Sequence, residues 1–319
     1  MGSDNTERTT LDSHRMGRVE ALNLLPDSVV LVATDRVNAH WRDDHIHLDS
    51  ARHVYAYRDS NGHHFEFSTS VSAVWENYFH RFNAEETLES FFDRWALDST
   101  SKYNAQIIAG RAAGKCDNVI KQDIADAWEA NGMLARAQGT YMHKQIELAL
   151  NGHNYDSSLK EMKLFFQWII DVPATRGWKI FRTEWSVFNL NSPIAGQIDA
   201  IFEDENGKCH MVDWKRCKEV LQPLAKIQFR RFGKYPLHDM VDNAYNHYVL
   251  QQNLYSSILL SEYDLSLTSM SLVRFHPDEE NYEHVGVPFL REETIRYILH
   301  HNKGRLTVVP HSTMESPVL

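Results

Sequence analysis

Hydrophobic and polar positions follow two patterns along the chain, and each pattern predicts one type of secondary structure. Short β-branched and aromatic runs between polar loops predict strands. The predicted strands are 178–188, 194–202, 209–216 and 266–275. Apolar residues at helical spacing, with stop signals such as Gly152 and Pro173, predict helices. The predicted helices of this part are 135–151, 157–172, 245–260 and 291–301. The order predicts an α/β (α+β) fold with a mixed sheet flanked by helices.

The first 135 residues predict a hairpin region with helices. Residues 1–25 have the polar composition of a flexible arm, and 28–33 is a short apolar strand. A hairpin is expected around Asn61-Gly62, with Val54 and Ala56 on the buried face beside Phe65 and Phe67. Helical spacing follows at 71–82, 87–97 and 123–129. We therefore expect three regions: an arm (1–25), a hairpin and helical region (26–134) and a core (135–319).

The loop between the second and third core strands determines which residues share a face. A two-residue turn at Asn206-Gly207 would place Asp199 and Asp213 on opposite faces. A three-residue loop, 205–207, with Gly207 in the left-handed position pairs Asp204 with Lys208 and sets Asp199 opposite Asp213. We predict the three-residue loop. Val212 and Trp214 then face the core, on the other side of the strand.

A carboxylate pair with a lysine is suited to metal-assisted chemistry. Lys215 is two residues beyond Asp213 and points to the same face. Adjacent carboxylates repel, and a divalent cation removes the conflict. Oxygen ligands favour Mg²⁺ or Mn²⁺. The alternative is an exposed hairpin with an ordinary Asp–Lys pair.

Two helices and the first core strand add further candidates. His143 and Glu147 are four residues apart and share a helix face, beside a Met142, Ile146 and Leu150 stripe that should pack. Gln251 and Tyr255 have the same spacing on the helix after the sheet. Glu184 on the first core strand offers one more carboxylate. Each of these is also compatible with an ordinary structural role.

Composition narrows the class of protein. The formal net charge is −10, and no apolar run reaches the length of a membrane span. The polar first twenty residues are unlike a secretory signal, and three unpaired cysteines favour reduced thiols and an intracellular protein without membrane association. The same three cysteines argue against a four-cysteine iron–sulfur cluster.

One segment is basic despite the acidic total. Between Lys215 and Lys234, seven basic residues accompany the single acidic Glu219. A phosphate backbone requires such a local positive strip, although a solvated basic loop has the same composition. The candidate nucleic-acid contacts are Arg216, Lys218, Lys226, Arg230, Arg231 and Lys234.

The ordered set of motifs resembles the PD-(D/E)XK nuclease superfamily, in particular its RecB-like exonuclease branch. The motifs are Gly139-Thr140 with His143 and Glu147, then Gly196-Gln197-Ile198-Asp199, Asp213-Trp214-Lys215, and Gln251 with Tyr255. The resemblance covers about residues 135–275 and implies a restriction-endonuclease-like core. It also implies a Mg²⁺- or Mn²⁺-dependent deoxyribonuclease, an exonuclease of DNA repair or recombination, acting on single-stranded DNA or duplex ends.

The same resemblance implies a role for each matching residue. His143, Asp199, Asp213 and the backbone carbonyl of Trp214 would bind the metal, with Glu147 and Glu184 as supporting ligands. Lys215 would orient or deprotonate the attacking water. Gln251 and Tyr255 would steady the site or the DNA. The alternatives are a structure-specific endonuclease, a catalytically inactive nucleic-acid-binding module on the same fold, and a regulatory protein whose motifs are coincidental.

Overall fold

The protein has a mixed α/β fold that contains two β-sheets and several helices. The structure is a computed structural model that describes residues 37–222 and 231–309. The α-helices are α1 (Ala84–Leu97), α2 (Asn104–Ala112), α3 (Asp117–Leu150), α4 (Lys160–Asp171), α5 (Ala244–Tyr263) and α6 (Glu292–His300). Short 3₁₀ helices cover Trp41–His45, Val71–Asn77 and Ala174–Arg176. The arm at 1–25, the strand at 28–33 and two of the basic candidates, Lys226 and Arg230, lie outside the described residues.

A five-stranded sheet forms the centre of the core and has the order β4-β5-β6-β7-β8. Its strands are β4 (Lys179–Asn189), β5 (Ile194–Glu203), β6 (Cys209–Lys215), β7 (Leu267–Arg274) and β8 (Glu283–Val287). Neighbours are antiparallel except β6 and β7, which are parallel and are connected through α5. The predicted sequence of three strands, a helix and a strand is confirmed, and β8 was not predicted.

The predicted hairpin register between β5 and β6 is confirmed. Ala200 pairs with Val212 and Glu203 with Cys209, so the same register sets Asp199 opposite Asp213. The loop is closed by a hydrogen bond from the Asp204 amide to the Lys208 carbonyl (2.9 Å). Gly207 has φ +73°, a conformation that glycine adopts without a side-chain clash.

Both faces of the core sheet are buried. Val212 and Trp214 pack with residues of α3 and α4, including Met142, Ile146 and Phe165. On the other face Met211 lies in a second cluster with residues of α5, including Leu254. The predicted helical stripe of Met142, Ile146 and Leu150 is confirmed, since all three side chains are fully buried. A β6 strand covered on both sides keeps Asp213 away from bulk solvent.

A four-stranded antiparallel sheet, β1-β2-β3-β9, lies beside the core. Its strands are β1 (Ile46–Asp49), β2 (Val54–Arg58), β3 (His64–Phe67) and β9 (Leu306–Val308). The predicted hairpin exists, but its predicted buried face is wrong on the β2 side. Tyr57 pairs with Phe65, so Tyr55 and Tyr57, rather than Val54 and Ala56, share a face with Phe65 and Phe67.

Two helical predictions also need correction. The segments expected as separate helices at 123–129 and 135–151 form one helix, α3, that continues through Gly132 and Gly139. A glycine inside a helix costs about 1 kcal/mol, which packing elsewhere can offset. The helix expected at 71–82 is the 3₁₀ helix Val71–Asn77. None of the helices in the described ranges is long and apolar enough to cross a membrane.

The chain divides into two compact units that differ from the expected regions. One unit contains the described residues up to Phe79 together with those from Met142 onward, and it holds both sheets. The other unit, His80–Tyr141, is helical. Its own core consists of Leu88, Phe92, Ile107, Ile120 and Ile124. The expected boundary between residues 134 and 135 therefore falls inside α3, seven residues before the division.

Candidate metal centre

Asp199 and Asp213 stand on neighbouring strands in different surroundings. Asp199 Oδ2 accepts a hydrogen bond from the Trp214 backbone amide at 2.7 Å, which fixes the carboxylate against β6. Asp213 is buried, and its Oδ2 lies 2.5 Å from Nζ of Lys215. Apart from this ammonium, that oxygen has no hydrogen-bond partner among the residues that the structure describes. A buried carboxylate oxygen with unused acceptor capacity is a candidate for a further ligand.

Glu184 reaches the site through an unusual backbone conformation. The pairs Thr183–Ala200 and Trp185–Ile198 flank it, so its position in β4 lies opposite Asp199. Its φ of +45° falls in the left-handed region, which residues with a Cβ seldom adopt. The Gln197 side-chain amide donates to the Glu184 carbonyl at 2.9 Å and supports this conformation. Strained backbone of this kind clusters at functional sites.

His143 comes from α3 and completes the group. Its Nδ1 is 3.5 Å from Asp199 Oδ1 and 3.9 Å from Glu184 Oε1. Its other ring nitrogen, Nε2, lies 3.1 Å from the Trp214 carbonyl oxygen, which accepts the hydrogen bond. The buried side chains of Met142 and Ile146 hold this part of α3 on the sheet and so direct the imidazole.

His143, Glu184 and Asp199 could hold a metal ion. One ligand atom from each residue lies within 4.8 Å of the others. The Nε2 bond to the Trp214 carbonyl leaves Nδ1 for a ligand, an arrangement typical of metal-binding histidines. Two carboxylates and an imidazole suit Mn²⁺, and Mg²⁺ when water completes its shell. Asp213 Oδ2, which is paired with Lys215, adds a further oxygen to the neighbourhood, and the residues present fit a divalent cation.

The three clustered groups shift one another's pKa in different directions. Burial, reinforced by Asp199, raises the pKa of Glu184 to about 8. Burial alone would lower the pKa of His143, but attraction to Asp199 and Glu184 outweighs it and raises this pKa to about 9. The pKa of Asp199 is lowered despite burial, because the His143 cation faces it. Without a metal, protons on His143 and Glu184 balance the charge that a cation would otherwise neutralise.

Lys215 is held as an ammonium beside Asp213. Burial opposes its charge, but attraction to Asp213 prevails and raises the pKa of Lys215. Burial raises the pKa of Asp213 to about 6, although the lysine acts in the opposite direction. Nζ also lies 4.2 Å from the centre of the Tyr248 ring, a cation–π contact. The positive charge of Lys215 is therefore fixed in position by both neighbours.

Gln251 and Tyr255 lie on α5, close to the Gly196 motif. The Gln251 side chain hydrogen-bonds the Tyr255 hydroxyl, and burial raises the pKa of Tyr255 well above its ordinary value, with contributions from Asp199 and Asp213. A Cβ on residue 196 would lie 2.6 Å from the Tyr255 hydroxyl oxygen. Glycine at this position therefore leaves space for the tyrosine.

Other candidate residues have partners elsewhere. Glu147 lies outside the three-residue group, and its Oε2 pairs with Lys144 at 2.7 Å. Arg216 pairs with the buried Glu161 at 2.6 Å, so its guanidinium supports the interior rather than an open surface. The basic candidates with exposed side chains among the described residues are Lys218, Arg231 and Lys234.

Two tyrosines near the site were not identified from the sequence. Tyr248 contacts Lys215, and its three- and seven-residue spacing before Gln251 and Tyr255 could have placed it on their helix face. Tyr55 comes from the smaller sheet, and burial raises its pKa, with Glu184 and Asp199 contributing. No local spacing connects Tyr55 to the core, since more than 120 residues separate it from Glu184.

Comparisons with known proteins identify no family. No family model matches the chain, and no curated protein matches it. A solved structure titled "Crystal structure of SSO0001" is similar at 19% identity, over 50% of this chain and 66% of that chain, with a TM-score of 0.24. The chain thus spans just under two thirds of that protein's length. Likeness at this level assigns neither a fold family nor an activity to the chain.

Proposed function

We propose that this protein is a metal-dependent nuclease that hydrolyses DNA phosphodiester bonds at the His143–Glu184–Asp199 centre. The observation that carries the proposal is the convergence of these three side chains beside the Asp213–Lys215 pair on adjacent strands. The same arrangement supports a restriction-endonuclease-like core. Exonuclease rather than endonuclease activity is the preference drawn from the RecB-like resemblance.

The proposed role of each residue follows from its charge. His143, Glu184 and Asp199 would hold a Mg²⁺ or Mn²⁺ ion, with Asp213 next to it. When bound, such an ion supplies Lewis-acid polarisation of the phosphate and a water of lowered pKa. The raised pKa of Lys215 keeps it protonated. Lys215 therefore acts as an electrostatic partner for the phosphate and the developing negative charge, rather than as the base.

Exposed cations close in sequence to Lys215 are suited to the DNA backbone. Lys218 follows Lys215 by three residues, and Arg231 and Lys234 follow the undescribed residues 223–230. Contacts of this kind give salt-dependent affinity without sequence preference. Arg216 is excluded from this set because Glu161 already pairs with it.

The proposal is tested with end-labelled DNA incubated with Mg²⁺, Mn²⁺ or EDTA. Linear and circular substrates, each single- and double-stranded, separate exonuclease from endonuclease activity. Lys215→Ala and Asp199→Asn are compared with Lys144→Ala, a matched control whose exposed lysine pairs with Glu147 at 2.7 Å. We expect metal-dependent cleavage that the first two variants lose by roughly 100-fold or more and the control retains.

The outcomes separate the alternative functions. Cleavage of circular DNA would assign an endonuclease. Metal-independent DNA binding without cleavage would assign the catalytically inactive binding module. Wild-type cleavage rates retained in both Lys215→Ala and Asp199→Asn would refute the proposed centre. RNA is run beside DNA, and cleavage of RNA alone would refute the DNA assignment.

A further inference from the structure

The helical unit His80–Tyr141 contains an open cavity of about 480 Å³, and none of its lining residues belongs to the candidate metal centre. Four aromatic side chains line it: Phe82, Trp95, Tyr103 and Trp128. Its volume falls within the range of roughly 300–1,000 Å³ that small-molecule sites occupy. Phe82 lies at its edge and is 69% exposed, so its ring is accessible from solvent.

The aromatic walls hold one another in place. The Trp95 and Tyr103 ring centres are 4.4 Å apart, and Trp128 stands edge-on to both. Trp128 Nε1 donates a hydrogen bond to the Tyr103 hydroxyl at 2.8 Å. Phe82 meets Trp128 edge to face at 5.4 Å. The walls are therefore preorganised, and a planar ligand would bind with little loss of side-chain entropy.

The charge around the cavity selects the class of ligand. Lys102 is one of the lining residues, and its Nζ lies 4.8 Å from the Tyr103 ring centre. No carboxylate of the described chain lies within ion-pair distance of it or lines the cavity. Three other cations of the unit are neutralised: Arg111 by Asp117, Lys115 by Asp123 and Lys121 by Glu89.

An aromatic cage for a cation would need the opposite arrangement, because Lys102 repels a positive ligand. Rings that stack, together with a cation that keeps its charge available, suit a planar aromatic group carrying an anion. Thr87 and Ser101 also line the cavity. The Thr87 hydroxyl donates to the Asn83 carbonyl and can still accept from a ring edge, and the Ser101 hydroxyl accepts from the Tyr103 amide and can still donate to one. A nucleotide combines these features in one molecule.

We propose that this cavity binds a nucleotide, with the base among the aromatic rings and the phosphate on Lys102. The inference goes beyond the proposed function, since it requires neither the metal centre nor cleavage. The nucleotide can be free or can belong to a single strand, because both present the same base and phosphate. The experiment distinguishes the two sources.

The test uses the full chain in EDTA and three probes: deoxyadenosine monophosphate, an octathymidylate, and an abasic octamer of the same charge. Binding is followed by quenching of tryptophan fluorescence and by anisotropy of the labelled octamers. The variants are Phe82→Ala and Lys102→Ala. The controls are Leu97→Ala, which removes another exposed apolar side chain of the unit, at the end of α1, and Lys115→Ala, which removes a paired cation.

We expect at least one of the base-containing probes to bind the wild type. Phe82→Ala and Lys102→Ala should each weaken that binding by about fivefold or more, as stacking and phosphate contacts do, while both controls stay within about twofold. The abasic octamer should bind at least about fivefold more weakly than the octathymidylate. Binding of the monophosphate indicates a free nucleotide, and binding of the octathymidylate alone indicates a strand.

Three results would overturn the inference: no binding of either base-containing probe, an abasic octamer that binds as tightly as an octathymidylate that itself binds, or equal affinities in the cavity variants and the controls. Because Phe82 is exposed at the cavity edge, its replacement should leave the fold intact, which circular dichroism checks. Nuclease activity is measured separately, so its absence affects only the proposed function.

Discussion

Replacing Gly196 with alanine tests whether the glycine of the Gly196–Asp199 motif is required by packing. The new Cβ would lie 2.6, 2.8 and 3.0 Å from three atoms of the Tyr255 ring and hydroxyl. Cβ atoms do not approach heavy atoms this closely, so the ring or the strand must move. Tyr255 is buried, and its hydroxyl is bonded to Gln251, so the ring has little space into which it can shift.

The magnitude follows from two opposing effects. Forcing a methyl group into a packed interior costs about 1–3 kcal/mol. Replacing glycine with alanine in a strand returns about 0.5–1 kcal/mol. We expect Gly196→Ala to lower the free energy of unfolding by about 1–2 kcal/mol. Gly286→Ala is the matched control, because Gly286 also lies in a strand of the core sheet and its Cβ would meet nothing within 4 Å.

Urea denaturation supplies the measurement, with equal slopes required so that a shift of the midpoint reports stability. Tyr255→Leu removes the three clashing atoms. In that background only the gain of about 0.5–1 kcal/mol remains, so Gly196→Ala should no longer destabilise the protein, and the coupling between the sites is about 1–3 kcal/mol. An equal loss with and without the tyrosine ring, or a loss no greater than that of Gly286→Ala, would refute the packing explanation.

Three further predictions concern other parts of the unit that holds both sheets. Burial lowers the pKa of His284 to about 4, so its contribution to stability is complete above pH 6.5 and is lost as pH falls towards 4, by up to about 3 kcal/mol. His284→Gln should remove that slope from the pH dependence of unfolding, and an unchanged slope would contradict it. Arg216→Met should lower the free energy of unfolding, measured with urea, by about 3 kcal/mol or more, because it leaves Glu161 buried and unpaired. Adding Glu161→Leu should recover most of this loss. Mn²⁺ at 100 times its Kd should stabilise the wild type by about 2.7 kcal/mol in a thermal melt and should not stabilise Asp199→Asn. Equal stabilisation of the two proteins would show that Mn²⁺ does not bind at Asp199.

The two hairpins show which part of the fold the sequence could predict. In both loops an aspartate oxygen accepts amide hydrogen bonds two and four residues later: Asp204 from Asn206 and Lys208, and Asp59 from Asn61 and His63. In both, a glycine with positive φ ends the turn. At the β5–β6 hairpin, the length of the loop was considered and the predicted register is correct. The same three-residue loop, applied to the Asp-x-Asn-Gly sequence of the β2–β3 hairpin, would have placed Tyr55 and Tyr57 on the buried face.

The composition of the candidate metal centre was harder to predict, since it depends on the unusual backbone conformation of Glu184. Alternation along β5 and β6 is sufficient to relate Asp199 to Asp213. Glu184 joins the group in a left-handed conformation that strand periodicity does not predict, while Asp213 turns to Lys215. Long-range packing of α3 then decides which histidine nitrogen faces the carboxylates. A residue with a Cβ is held at positive φ only when its surroundings outweigh a strain of about 1–3 kcal/mol, and Gln197 provides one such contact within the motif itself. Gly196 makes space for Tyr255, Gln197 holds the Glu184 backbone and Asp199 faces His143, so three of the four residues in this segment have a structural reason that spacing alone does not reveal.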